Sequence, residues 1–371
     1  MMLVDDEFTR LTDPLRPELL AHCYRMLGSA TDAEDQLQET LVRAWRSYGD
    51  FEGRSSLRTW LYRIATNACL RALENQNRRP LPSGLGAPAD NPDDPVAPGR
   101  DDIPWLQPLP DALIAGDSAD PASITVSRAS VRLALVAALQ YLPARQRAVL
   151  ILRDVLRWRA AEVADLLGIT ATAANSLLQR AREQLSQHTL AEDELSEPAD
   201  PVTRRLLDRY ASAFENADAA GLAALLRADA VLEMPPVPTW FAGRERVVRF
   251  LSGQVLRRPG RFRLIPVSAN GQPAFAEYLA TPDGGYRPVG VQVLTVTASG
   301  IGRITAFVGQ SELVPLFALP QDLPAGLSGA AGQAARIAIT GSSNIYHHAA
   351  TVGPPLLVLT NDSEIPRGNR R

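Results

Sequence analysis

The chain has no lysine. All 38 of its basic residues are arginine, a bias that fits a GC-rich genome and assigns no chemistry by itself. Its two cysteines, Cys23 and Cys69, each lie in an apolar helical stretch without metal-ligand spacing. They read as buried free thiols in a reducing compartment, and neither a disulfide framework nor a metal site is expected. No histidine occurs between His188 and His347, so an imidazole for acid–base work is missing from most of the C-terminal half. No run of about 18 apolar residues exists, which excludes a transmembrane helix. The N-terminus, with Asp5, Asp6 and Glu7, lacks the basic and apolar segments of a signal peptide. Aromatics are scarce at 6%, yet 46% of residues are hydrophobic, so soluble globular domains are expected and wholesale disorder is excluded.

What is present is charge, unevenly placed along 371 residues, a length for two or three domains. The net charge is only −3. Residues 54–79 carry six arginines and one acid, Glu74; residues 80–125 carry one arginine against eight aspartates; residues 126–190 carry nine arginines against four acids. Two basic blocks parted by an acidic, proline-rich stretch describe two modules that meet an anionic polymer, joined by a tether that does not.

Hydrophobic periodicity divides the chain further. Residues 14–79 read as helices. Asp32 is the expected N-cap of one, with Asp35 at its third position, and Ala33, Leu37, Leu41, Ala44, Trp45 and Tyr48 form its inward stripe. A second helix is expected from Ser55 or Ser56 to about Arg79, with Leu57, Leu61, Ile64, Ala68 and Ala72 inward. Within the tether, Trp105 and Leu106 form an apolar island that should dock rather than stay solvated. From Ile124 to about Leu190 helices resume, ending in helix, Gly168 turn, helix. The last helix has Ala174, Leu178, Ala181 and Leu185 inward and polar side chains outward, the arrangement of a helix-turn-helix entering a major groove. Residues 203–227 read as one helical pattern broken at Gly221, followed by a helix over 244–251. Strands are expected at 262–267, 274–280, 290–297 and 301–308, with turns such as Asn270-Gly271 between them, an α+β domain. The expected pieces are therefore 10–80, 81–124, 125–190, 203–320 and a poorly defined tail, 321–371.

The run Asp32-Ala33-Glu34-Asp35-Gln36-Leu37-Gln38-Glu39-Thr40-Leu41-Val42-Arg43-Ala44-Trp45, with Phe51 and Ser55 to Asn67 downstream, resembles region two of extracytoplasmic-function (ECF) RNA polymerase sigma factors. The helix-turn-helix with Arg180-Ala181-Arg182 resembles their region four. The Trp105-Leu106 island and the C-terminal part resemble a subset carrying a SnoaL/NTF2-like extension, and the overall length is similar to the actinobacterial sigma factor G type. Many relatives have a basic residue where this chain has Asn175 or Leu177. The fold implied is multidomain: two all-α sigma modules plus a cone-like C-terminal α+β domain.

By that resemblance, Asp35, Gln38, Glu39 and Arg43 would grip the clamp helices of the largest subunit of core RNA polymerase, while region four would meet the flap. Phe51, Arg58, Arg63, Asn67 and Arg71 would serve the −10 element. Arg63, Asn67 and Arg71 follow at steps of four, arginines suiting phosphates and Asn67 the edge of an unstacked base. Phe51 would wall in a flipped base or, equally, anchor its loop. Thr172, Asn175, Ser176, Gln179, Arg180 and Arg182 would face the −35 element, the arginines on phosphates. Trp105 and Leu106 form a regulatory linker, and the C-terminal domain is a partner in cis; a separate anti-sigma protein is left open. Two other readings remain. One is a helix-turn-helix regulator with a ligand-binding domain; the other is an enzyme using Asp229, Glu233, Glu277 or Asp283, which show no paired arrangement. The expected protein is cytoplasmic, not an enzyme, and needs no cofactor, metal or membrane.

Overall fold

The computed structural model describes residues 2–74, 78–115, 129–188 and 200–324. The expectations for residues 124–128, the segment 191–199 and the tail beyond 324 lie outside these.

The first module is built on α2 (Arg16–Leu27), whose residues Leu19 to Leu27 are all buried. It packs against α3 (Ala30–Ser47) and α4 (Leu57–Leu73), and Phe8 of α1 (Met2–Thr12) meets Tyr48 edge-on at 5.2 Å. Gly28 ends α2 at φ 72°, a left-handed turn, and a Cβ there would lie 2.9 Å from the side chains of Leu106 and Gln140. Both the turn and the close approach require glycine. The N-cap of α3 is Ser29 rather than Asp32: Ser29 Oγ accepts the Asp32 N–H at 3.1 Å. Asp32 instead pairs with Arg79. Ala33, Leu37, Leu41 and Ala44 are buried as expected, whereas Trp45 is 47% exposed. Ser56 caps α4, and its buried stripe is Leu61, Tyr62, Ala65, Ala68 and Cys69, rotated from the expected one. The rotation arises because α4 also packs against the second helical module.

That module comprises α5 (Leu133–Leu139), α6 (Ala144–Leu150), α7 (Ala160–Leu167) and α8 (Ala171–His188). Gly168, at φ 64°, turns α7 into α8. Ala174, Leu178 and Ala181 are buried, so the amphipathic reading of α8 holds.

The C-terminal part begins with α9 (Pro201–Glu215) and α10 (Ala219–Leu225), and the break between them falls at 216–218 rather than at Gly221. Asp218 caps α10 by accepting the Gly221 N–H at 2.9 Å, and Ala217 takes φ 54°. Two strands absent from the sequence reading follow, β1 (Leu226–Met234) and β2 (Val237–Ala242), then α11 (Arg244–Phe250). β3 (Phe262–Ala269), β4 (Gln272–Ala280), β5 (Tyr286–Thr297) and β6 (Gly300–Val308) complete a sheet of order β2-β1-β6-β5-β4-β3. β1 and β6 run parallel, the other neighbours antiparallel. One face, with Leu264, Phe275, Leu294 and Ile304, shares a core with Tyr210, Phe214, Leu222 and Phe250 of the helices. The opposite face, with Ala274, Ala276, Val291 and Phe307, joins the core that contains the helical modules.

Candidate nucleic-acid and polymerase interfaces

On α3, Asp35 and Gln38 are exposed, while Glu39 and Arg43 are half-buried and paired at 2.5 Å. Gln38 donates to Glu34 at 2.7 Å. Val42, 41% exposed, and Trp45 stand one turn apart near these charges, so the outward face mixes apolar area with charge. The sequence reading missed Trp45 because a Trp at helical spacing from a buried stripe reads as core.

Around α4 the candidates differ in availability. Asn67 and Arg71 are exposed. Phe51 is half-buried, 4.8 Å from the Trp60 ring and stacked on Tyr48 at 6.5 Å. Arg58 is held by Glu18 at 2.7 Å and lies over the Tyr62 ring, and the Glu18 hydrogen bond holds its guanidinium above the usual range. Arg63 donates to Asp165 of α7 at 2.7 Å. A ring contact of Tyr62 with Trp158, 6.1 Å between centroids, lies at the same junction.

Deeper in that junction are two buried arginines. Arg25 donates to Ser130 Oγ at 2.6 Å and to the Ser130 carbonyl at 3.2 Å. Arg147 donates to the carbonyls of Met26 and Leu142, and to Gln140 Oε1 at 2.9 Å. All these acceptors are neutral, and burial pushes both guanidiniums down to about 10. The two helical modules are therefore joined by cations that regain water when the modules part.

On α8, Thr172, Asn175, Ser176, Gln179, Arg180 and Arg182 are all exposed. Among the described residues, Arg182 alone of these is in an ion pair, with Asp154 of its own module at 2.7 Å. Leu177 is half-buried against the core.

The tether is ordered across residues 78–115. Trp105 is 6% exposed and Leu106 0%, so the island docks as expected. Leu106 N–H donates to the Pro80 carbonyl at 3.2 Å, and Trp105 Nε1 to the Arg100 carbonyl at 2.7 Å. A further contact of the tether with the C-terminal sheet is made three residues on. Asn270, fully buried at φ 58° in the β3–β4 turn, accepts the Leu109 N–H at 2.9 Å. Its amide donates to Tyr24 Oη of α2 and to the Val131 carbonyl, both at 2.7 Å. One side chain thus bonds the first module, the tether and the segment leading into α5. Asn270-Gly271 reads in sequence only as a turn; nothing local says what it touches.

The four carboxylates considered for catalysis do not converge. Asp229 pairs with Arg227 on the surface, and Asp283 lies in an exposed turn. Glu233 is buried but points to the Ser83 N–H, 2.9 Å away, and to Arg303. Glu277 is buried among the apolar side chains shared with α9, accepts from Gln292, and is pushed up to about 7 by burial. Tyr210 Oη donates to Gln292 Oε1 at 2.7 Å, completing a Tyr–Gln–Glu chain.

Three family descriptions match: Sigma-70 region 2 over residues 11–79, Sigma-70, region 4 over 132–185, and SnoaL-like domain over 207–307. The chain is 50% identical over 319 residues, 85% of either chain, to the ECF RNA polymerase sigma factor SigG of Mycobacterium tuberculosis. It is 27% identical to SigJ of the same organism over 306 residues, 79% of this chain and 88% of that one. The crystal structure of the M. tuberculosis SigJ superposes with a TM-score of 0.52 at 22% identity, covering 81% of this chain and 96% of that one.

Proposed function

The chain belongs to the ECF RNA polymerase sigma factors, and on that footing we propose how its parts divide the work of one. It is an alternative sigma factor that binds core RNA polymerase and promoter DNA and initiates transcription. Residues 10–80 act as region two and 125–190 as region four, joined by the linker 81–124 and followed by a regulatory domain, 203–320. The work is done in the cytoplasm, beside the polymerase, without catalysis by the C-terminal domain.

The α3 face of Asp35, Gln38, Glu39 and Arg43 meets the polymerase clamp helices, and Val42 and Trp45 supply apolar contact within the same interface. Asn67 reads an unstacked −10 base beside the Phe51–Trp60 pair, with Arg63 and Arg71 on phosphates. Region four places Thr172, Asn175, Ser176 and Gln179 at base edges, and Arg180 and Arg182 on the −35 backbone.

The C-terminal domain holds regions two and four together in cis, in the state described above, until core polymerase separates them. The observation that carries this reading is the three-way bonding of Asn270. Asn270→Gly keeps the positive φ without strain and removes only the amide. In reconstituted run-off transcription at matched saturation of core enzyme, Asn270→Gly and Trp105→Ala should each raise output several-fold. A chain ending near residue 200 should do the same. Identical output from all of them and the parent would remove the regulatory role.

A further inference from the structure

The segment from Arg244 to Arg263 carries seven arginines and a single acid, Glu245, in a chain whose net charge is −3. Five of the seven (Arg244, Arg246, Arg249, Arg257 and Arg258) are exposed, on α11 and on the turn that leads to β3. Arg263 is neutralised by Glu215 at 2.7 Å. Arg257 and Arg258 have no acidic partner among the described residues, and they stand close enough to Arg261 to add to the burial that holds its guanidinium below the ordinary value. Like charges gathered this closely raise the local positive potential, which draws an anionic ligand.

Part of this surface is covered by the tether. Asp93 places both carboxylate oxygens on the Arg249 guanidinium, one of them 3.0 Å from Nε. Arg246 Nε donates to the Asp90 carbonyl at 3.3 Å, and Gln254 Nε2 donates to the carbonyls of Pro92 and Asp94 at 2.8 and 2.9 Å. An acidic stretch with Asp90, Asp93 and Asp94 therefore lies along α11. A carboxylate astride a guanidinium has the geometry that a phosphate also offers. The Arg249–Asp93 pair is 65% and 50% exposed, so it is a weak, displaceable contact.

We propose that the arginine surface of residues 246–261 is a second nucleic-acid contact, which holds the phosphate backbone of duplex DNA without reading sequence and which the tether's aspartates partly mask. Duplex is favoured over single strands because the surface has no stacking platform: Phe250 and Phe262, the aromatic residues within 244–263, are both buried. Region four, in the same chain, already brings duplex DNA to the protein. The masking explains why the tether is acidic where it crosses α11, a feature that joining two modules does not require.

The test is fluorescence anisotropy of the full chain with a labelled duplex of about 25 base pairs lacking promoter elements, titrated between about 50 and 200 mM salt. Arg257→Gln/Arg258→Gln should weaken binding several-fold at the lowest salt and flatten the log–log salt slope by about 1.8, two phosphate contacts at about 0.9 each. Asp93→Asn should strengthen binding by unmasking Arg249. Arg257→Lys/Arg258→Lys keeps the charge and should bind like the parent, which separates electrostatics from any change in fold. Equal affinity and slope for the parent and the double glutamine variant would overturn the proposal. Tighter binding of single-stranded RNA than of duplex, lost in the same variant, would overturn the assignment to DNA. Neither result touches promoter recognition, because the probe contains no promoter element.

Discussion

Helices α4 and α8 both display arginines and amides at helical spacing, yet the fold treats them differently. On α8 the six candidate side chains all face solvent, and their one ion pair among the described residues, Arg182–Asp154, stays inside region four. On α4, Asn67 and Arg71 are exposed, but Arg63 is held by the other module, Arg58 by Glu18, and Trp60 by Phe51 of the preceding loop. A duplex can approach α8 with little broken first. On the reading proposed above, α4 is freed only when the two helical modules part, which also releases the buried guanidiniums of Arg25 and Arg147. The two surfaces differ in how much of the protein must rearrange before each becomes fully exposed.

That contrast depends on the C-terminal domain staying folded, and the largest expected effect comes from Glu277. Its native value of about 7 lies above the unfolded carboxyl's 4.5. The folded state therefore holds the proton more tightly. The stability contributed by Glu277 is greatest below pH 4.5, falls as pH rises to about 7, and is flat beyond. The total loss is on the order of 3 kcal/mol, roughly a hundredfold in the folding equilibrium. Glu277→Gln should remove this contribution. In thermal melts from pH 5 to 8.5 the variant should no longer lose stability through Glu277 relative to its own low-pH value, and below about pH 6.5 the opposite dependence of buried His22 is left. A slope identical to the parent's would mean that Glu277 is not the titrating group. Next in size, Phe51→Ala and Asn67→Ala should cut open-complex formation about tenfold, in line with 1–3 kcal/mol per stacked base. Closed complexes should survive, and pre-melted templates should partly rescue both. Normal permanganate reactivity of promoter thymines in both variants would erase the functional difference between α4 and α8. The smallest effect is expected from Asp165→Asn, which frees Arg63. Because Asp165 is 70% exposed, output should rise by no more than about fivefold. A fall would show that the Arg63–Asp165 contact assists region two rather than restraining it.

The helix-turn-helix was fully legible because α8 packs on one side only, so its buried stripe Ala174, Leu178 and Ala181 repeats at a single phase. Helix α4 was legible as a helix but not in its phase, since two partners share it and buried residues spread to Tyr62 and Cys69. Trp45 was placed inward by spacing alone, and burial depends on what stands opposite. Strands β1 and β2 were missed for a related reason. Leu226–Met234 carries arginine, aspartate and alanine without regular alternation, and a register shift between Glu233 and Met234 breaks its pairing with β2. The tether reads as solvated from its composition, yet its carbonyls and amides find partners along β2 and α11. Asn270 marks the limit of local reading: its turn is written in two residues, its role in contacts more than a hundred residues away.

Strand β2 is at the edge of the sheet, and the tether lies over it. Ala89 N–H donates to the Trp240 carbonyl at 2.8 Å, Arg100 N–H to the Pro236 carbonyl at 3.0 Å, and Trp240 Nε1 to the Gly86 carbonyl at 3.0 Å. Pro88, Pro92, Pro95 and Pro98 lack N–H groups, so this cover satisfies the edge without offering a new strand for further pairing. Withdrawing the tether would bare a row of unpaired backbone groups, the kind of template on which sheets from separate molecules join. Colloidal solubility is thereby tied to the position of the linker: preparations clipped between Gly86 and Arg100 would self-associate at concentrations where the intact chain stays monodisperse.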